Sequence, residues 1–267
     1  MKKKLIINAD DFGRNPYASE AILNLAESGR ITSTTILANF VSPGDLEALR
    51  NISGLSTGYH LNVLEGTPLT PADLIPSLVD DEGNFFTQKQ FLTRFYTHRI
   101  SRTELETEIR SQIQHLLDSG ITISHADSHK HLHQHPVVGP FTLQIFKEMG
   151  IRRVRRCRIS QSQSLRMKVV GHFDHHTKKH LGPFVTPDIL ISYFSCGEEF
   201  TVATFLSAVR SAFQDYSTAE VMCHPSTEDS PDTYLHGKNE YKFLLEEYWK
   251  DRLESDGITL INYNQLD

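Results

Sequence analysis

Apolar residues occur along the chain in two spacings that take turns. Short runs such as Leu5-Ile6-Ile7, closed by polar residues, have the length and branching of buried strands. Between such runs, apolar residues return every three or four positions. Ala18, Ile22, Leu25 and Ala26 do so in one segment, and Leu105, Ile109, Ile113 and Leu116 in another, each giving the stripe of a helix that covers a sheet. The first helix opens with Asn15 as N-cap and Pro16 in its first turn, and stops at Gly29. Strands are predicted over 4–8 and 31–40, in "LSTGYHLNV" ending near His60, in "GITISHADSH" ending near Asp127 and His129, and over 153–157, 188–194, 219–223 and 258–262. Further helices are predicted over 102–118, 137–149, 201–213 and 239–254.

A strand-helix unit repeated seven or eight times implies parallel strands joined by helical crossovers, in an open doubly wound sheet or a closed barrel. No glycine-rich phosphate loop follows the first strand, which argues against a nucleotide-binding sheet. Asp10, Asp11, His60, Asp127, His129 and His224 all follow predicted strands at their C-terminal ends, and in a β/α barrel those ends share one face. The expected fold is therefore α/β, a single-domain barrel of seven or eight strands over residues 1–267, since no linker or composition break divides the chain. The long Pro-, Gly- and aromatic-rich connection at about 64–100 reads as a lid over the barrel mouth.

Composition narrows the partners. With 39% hydrophobic and 22% charged residues and a net charge of −6, the chain has no bias toward nucleic acid or an anionic membrane. The basic start "MKKK" precedes only three apolar residues, too few for an export signal. No stretch approaches the roughly 18 apolar residues of a membrane span. A cytoplasmic protein is expected. The three cysteines, Cys157, Cys196 and Cys223, are far apart and without paired spacing, so they read as reduced core residues.

The chemistry concentrates in a few segments. In "NADDFG", Asp10 and Asp11 place two like charges where a strand meets a loop, which calls for a cation or proton nearby. "SHADSHKHLHQHP" carries five histidines at alternate positions with Asp127 among them, more than one ion can use. With His60, one aspartate and two histidines from three strand ends would make a 2-His-1-carboxylate face with positions open for water and substrate. His224, in "MCHP", is placed to act as a general acid or to cap a strand. The arginines of "IRRVRRCR" read as a solvated edge from which one side chain reaches the mouth, and "GHFDHHTKKH" as a loop that could bind a stray metal.

The segments "LIINADDFG", "ITSTTILAN", "GYHLNV", "HADSHKHLHQHP" and "EVMCHP", in this order and at these spacings, resemble the YdjC-like carbohydrate deacetylases, a family that includes a chitooligosaccharide deacetylase. The resemblance spans about residues 4–225 and matches nothing in 159–187. It implies a β/α barrel of the glycoside hydrolase/deacetylase type, a bound divalent metal and removal of acetyl from an N-acetylated sugar or oligosaccharide. By position, it assigns the metal to Asp11, His60 and His129, the base to Asp10 and the late His-Pro histidine to His224. Imidazole ligands suit zinc, iron, cobalt or nickel better than magnesium. Asp127, His131, Arg155 and Phe85 are candidate substrate contacts, with Phe85, Phe86 and Tyr96 able to stack on a sugar ring or to pack the lid. A homodimer is compatible with this reading. The competing functions are a metal-dependent phosphoesterase, with the arginine cluster on phosphate, and a sugar-binding barrel without turnover.

Overall fold

Among the described residues, seven strands form: β1 (Lys3–Phe12), β2 (Ser33–Ile36), β3 (Ser56–Leu61), β4 (Ile123–Ser128), β5 (Ile189–Ile191), β6 (Thr218–Cys223) and β7 (Ile258–Leu260). They pair in parallel along the path β4-β3-β2-β1-β6-β5, with β7 also on β1. β2 pairs with the C-terminal half of β1 from Asn8, while β7 pairs with Lys3 to Leu5. The helices are α1 (Pro16–Glu27), α2 (Pro43–Arg50), α3 (Gln88–Tyr96), α4 (Arg102–Asp118), α5 (Gly139–Glu148), α6 (Leu165–Thr177), α7 (Val202–Ala212), α8 (Gly237–Leu245) and α9 (Tyr248–Ser255). This computed structural model describes residues 2–159, 165–195, 200–229 and 236–267.

Strand alternation explains how the site is built. On β1, Leu5, Ile7 and Ala9 join the main apolar core, whereas Ile6, Asn8 and Asp10 face the other way. Tyr59 and Leu61 on β3, Ala126 on β4, and Ala219, Val221 and Cys223 on β6 join the same core. The opposite series, Ser33, Thr35, His60, His125, Asp127 and Glu220, is fully or almost fully buried and hydrogen-bonded across the concave side of the sheet. Gly58 belongs to this series because a Cβ there would lie 2.4 Å from the His125 ring. The concave side is thus polar and the helix-facing side apolar.

The sheet is curled, but its ladders do not close into the expected seven- or eight-stranded barrel. The predicted strand at 153–157 makes only single bridges among the described residues, Val154 to Ala126 of β4 and Arg153 to Val185, and just beyond it Ile159 bridges to Leu190 of β5. The reason is local. The Arg155 carbonyl accepts from the side chains of His133 (3.1 Å) and Gln134 (3.2 Å), so it cannot serve a ladder.

Helix caps follow the sequence closely. Asn15 accepts the N–H of Ala18 at 2.9 Å, and α4 occupies the residues predicted for it. The helix expected over 239–254 is broken between α8 and α9, where Glu246 is extended. The break lets Phe243 and Leu244, then Trp249 and Leu253, all reach the core. Three helices were not anticipated: α2, capped by Ser42, α3, whose capping box of Thr87 and Gln90 sits inside the expected lid, and α6. "GHFDHHTKKH" lies on α6 and the turn after it, not in a loop. Cys157 and Cys223 are buried free thiols, and Cys196 lies outside the described residues.

The buried polar side has a consequence at acid pH. Burial lowers the His125 pKa to about 3 and that of His133 to about 4. The His125 ring stacks on Tyr263 with centroids 3.6 Å apart. Both histidines have folded pKa values below the unfolded value of about 6.5, so the unfolded chain takes up protons first. The stability they confer is complete above about pH 6.5 and falls as pH drops toward 3–4. His125→Phe, which keeps the stack without titrating, is expected to flatten the stability-pH slope between pH 6 and 5 by up to about 1.4 kcal/mol per pH unit. Urea midpoints across that range check it, and an unchanged slope would show that His125 charges without opposing the fold.

Candidate metal centre and catalytic mouth

Alternation alone would send Asp10 to the concave side and Asp11 to the helices. The backbone breaks the alternation: Asp11 has φ 66°, and the β1–β2 register shifts between Ala9 and Phe12. Aspartate is one of the few side chains that tolerates this left-handed conformation. Gly13 follows at φ 91°, where a Cβ would come within 2.5 Å of Val41. Both carboxylates therefore turn into one mouth, lined also by Arg14 and His224.

Asp11 Oδ1 lies 3.2 Å from His60 Nε2 and 3.3 Å from His129 Nδ1. These three residues form a group whose ligand atoms all lie within 4.8 Å of one another. Asp127 Oδ1 is 2.6 Å from His60 Nδ1 and fixes that nitrogen, so Nε2 faces Asp11. Asp11 Oδ1 is buried without a hydrogen-bond partner among the described residues. A lone pair on the imidazole and one on the carboxylate then face each other, an arrangement that demands a proton or a cation between them. The spacings match the roughly 3.3 Å separation of ligands on a tetrahedral ion with bonds of about 2.0–2.1 Å. The donor set of two imidazoles and a carboxylate suits a divalent transition metal, so the residues present fit the group.

The local charges agree with this arrangement. Burial works to raise the Asp11 pKa, but His129 and His60 outweigh it and hold the carboxyl well below its usual range. For His60, burial lowers the pKa, yet Asp127 and Asp11 prevail and push it up to about 10. A second group, Asp10, His60 and Asp127, also has its atoms close enough for a cation. Its carboxylates are already committed to Arg155, which makes the Asp11 group the better site.

Arg155 organises the layer beneath the mouth. It is fully buried, with Nη1 2.7 Å from Asp10 Oδ2 and Nη2 2.6 Å from Asp10 Oδ1. It also pairs with Asp127 Oδ2 at 2.7 Å and Glu220 Oε1 at 2.7 Å. Asn8 donates to Asp10 Oδ1 at 2.8 Å, and the Tyr263 hydroxyl to Glu220 Oε2 at 2.6 Å. At the rim, Arg14 bridges Asp11 (3.1 Å) and Glu65 (2.7 Å), while Glu65 Oε2 is 3.0 Å from His129 Nε2. Across the mouth, His224 Nε2 is 3.8 Å from Asp10 Oδ2. Burial lowers the His224 pKa, against the pull of Asp10 and Asp11.

A model of the YdjC-like protein family matches residues 4–255. The chain belongs to this family. Proteins similar to it include a carbohydrate deacetylase of Geobacillus stearothermophilus, 30% identical over 100% of this chain and 99% of the relative. One from Brevibacillus brevis is 27% identical over 98% and 99%. A solved structure described as a cellobiose-phosphate cleavage protein from Enterococcus faecalis superposes with a TM-score of 0.80 at 27% identity, covering 100% of this chain and 99% of that one. A CE4-family pseudoenzyme mutant matches in fold, with a TM-score of 0.50 at 10% identity.

In this YdjC-like protein, Asp10, Asp11, His60, His129 and His224 converge, whereas the four expected substrate contacts lie around them: Asp127 and Arg155 beneath the mouth, Phe85 in the core and His131 in a neighbouring groove. Asp127 and Arg155 are both fully buried and spend their charges on each other, His60, Asp10 and Glu220, so neither reaches a substrate. Phe85 is 5% exposed, packed in the main core and bridged through its backbone to Val79, which removes it from any sugar-stacking role. Phe86 carries the Arg94 guanidinium 4.2 Å over its ring, and Tyr96 is exposed beside His135. His131 leaves the cluster because Lys130 and His131 both have positive φ, and it lines a groove between α3 and α6. The arginine run is not a uniform solvated edge either. Arg156 is bound to Asp174, Arg153 to the carbonyls of Asn264 and Leu266, and Arg158 lies over Tyr216. Sequence reading missed Asn8, Arg14, Glu65, Glu220 and Tyr263. Asn8, two residues before Asp10, Arg14, three after Asp11, and Glu65, five after His60, carried a local signal, whereas Glu220 and Tyr263 carried none.

Proposed function

We propose that the protein is a metal-dependent hydrolase that removes the acetyl group from an N-acetylated saccharide. The observation that carries this reading is the buried, partnerless Asp11 Oδ1 facing His60 and His129, with Asp10 and His224 on the same mouth. The relatives named carbohydrate deacetylases support the substrate class.

Asp11 Oδ1, His60 Nε2 and His129 Nδ1 would hold the ion. A divalent cation there supplies Lewis acidity, bringing the pKa of water to roughly 7 and drawing charge from a carbonyl oxygen. Asp127 keeps His60 in the tautomer that presents Nε2, and the Glu65 carboxylate stands 3.0 Å from Nε2 of His129, on the side of the ring away from Asp11. Asp10, gripped by Arg155 and Asn8, takes the proton of the attacking water on a carboxylate oxygen directed at the mouth. His224 Nε2 delivers a proton to the departing amine nitrogen, because an amide anion is too basic to leave unprotonated. The products are acetate and a free amino sugar. The groove between α3 and α6, reached by His131 just after His129, would take the remainder of the saccharide.

The phosphoesterase reading loses its anion site, since each arginine of the cluster apart from Arg152 already has a partner among the described residues. A binding-only barrel has no use for a base and an acid on opposite sides of the ligand set.

Acetate release from a panel of N-acetylated mono- and oligosaccharides, with chelator and with added zinc, cobalt, nickel, iron or magnesium, tests the proposal. Chelator-sensitive release is expected, and hydrolysis of a generic phosphodiester in its place would reverse the assignment. His129→Ala is expected to bind metal at least tenfold more weakly, measured as metal content after dialysis, and undiminished metal would remove His129 as a ligand. His224→Ala is expected to keep its metal and lose about 10²–10⁴-fold in turnover on an N-acetyl sugar. It should lose much less on an O-acetyl ester, whose leaving group needs less protonation. Equal losses on both substrates would mean that His224 orients substrate instead.

A further inference from the structure

Glu240 sits on α8, and none of the chemistry above uses it. Its side chain is 0% exposed. Oε2 accepts a hydrogen bond from the backbone N–H of His224 at 2.6 Å, and Oε1 is buried with no hydrogen-bond partner among the described residues. Burial holds the carboxyl well above the usual carboxylate range, and the nearby Asp10 adds to the effect. A neutral carboxylic acid is the form such a site accommodates.

Its neighbours on α8, Phe243 and Leu244, are core residues, so an apolar side chain at 240 would pack there at lower cost than a carboxyl with one orphaned oxygen. What the carboxyl supplies is an acceptor for one N–H, at the residue where β6 ends and the mouth begins. Further along, the loop is tied to α8 by the Ser226 N–H donating to the Gly237 carbonyl at 3.0 Å and by Lys238 donating to Asp229 and Glu228, and to α1 by Thr227, but at His224 itself the backbone N–H is held by Glu240. Close packing is required here too, because a Cβ on Gly237 would lie 2.9 Å from the His224 carbonyl oxygen. Pro225 has no N–H to offer a substitute bond.

We propose that Glu240 is a positioning residue, whose carboxyl fixes the His224 backbone at the end of β6 and so aims Nε2 across the mouth toward the leaving-group nitrogen. This rests on the reading of His224 as proton donor. The acid does not touch substrate; it removes the freedom of the loop that carries the donor.

Glu240→Met keeps the volume and removes the acceptor, while Glu240→Gln keeps an acceptor oxygen in the same place. The Met variant is expected to be at least as thermally stable as the wild type, to retain its metal and KM, and to lose about 10–100-fold in kcat on an N-acetyl sugar. The Gln variant should recover most of that rate. In a His224→Ala background, Glu240→Met should add no further loss, since the residue it positions is gone. An undiminished kcat in Glu240→Met, equal losses in Met and Gln, or additive losses with His224→Ala would overturn the proposal. One readout is independent of activity: the His224 amide proton should resonate far downfield in wild type and Glu240→Gln and move upfield in Glu240→Met. Absence of acetate release by the wild type would count against the deacetylase reading alone, and an amide proton that fails to shift would count against Glu240 alone.

Discussion

Arg155→Met is expected to cost about 3–5 kcal/mol of stability, the penalty for leaving buried charge without its partner. Three carboxylates, Asp10, Asp127 and Glu220, meet this one guanidinium, and all four groups lie at 3% exposure or less. Methionine fills much of the volume, so the loss reports charge and not a cavity. Either the acids ionise with no counter-charge, or they take up protons and lose the hydrogen bonds that aim them. Arg155→Lys should recover only part of the stability, because a single ammonium cannot match the fork that serves Asp10 with two nitrogens and Glu220 and Asp127 besides. Urea unfolding at pH 7 decides it. Wild-type stability in Arg155→Met would show that the three acids are held by other means, and would take from Arg155 its place as the support of Asp10.

The second large effect is on rate. Asp10→Asn removes the proton acceptor and leaves Asp11, His60 and His129 untouched, so bound metal should stay at its wild-type level while kcat falls by roughly 10²–10⁴-fold. The fold should tolerate the change. Arg155 keeps Asp127 and Glu220, and a cluster with three negative charges against one positive loses part of its surplus. The variant thereby separates chemistry from stability, which Arg155→Met cannot do. Near-normal acetate release by a folded, metal-loaded Asp10→Asn would assign proton removal to another group.

These two residues also mark how far the sequence could be read. The element pattern was legible because strand and helix periods are local properties: α1 with its Asn15 cap, α4, and all seven strands of the sheet could be placed from spacing alone. Strand ends that finish in Asp or His were legible for the same reason, since parallel strands bring their C-terminal ends to one side. Asp10, Asp11, His60, His129 and His224 therefore stood out before any geometry was known. So did the need for a cation near the acid pair, because like charges at adjacent positions repel wherever the chain goes.

What tertiary structure alone decided was which charged residues point inward and whom they meet. Five arginines within seven residues look equivalent in sequence, yet only Arg155 is fully buried, meeting Asp10 145 positions away and Glu220 65 positions away. Those partners are set by the curl of the sheet and by the side chains that intercept the Arg155 carbonyl and prevent a ladder there. Phe85 and Asp127 read as substrate contacts for the same reason: sequence shows a side chain's chemistry but not the side of the wall on which it stands. Asp11 enters the mouth through one left-handed backbone angle, which overrides the alternation that would have turned it to the helices. Periodicity carries local geometry, whereas long-range pairing and a single reversed dihedral depend on atoms that the neighbouring sequence does not contain.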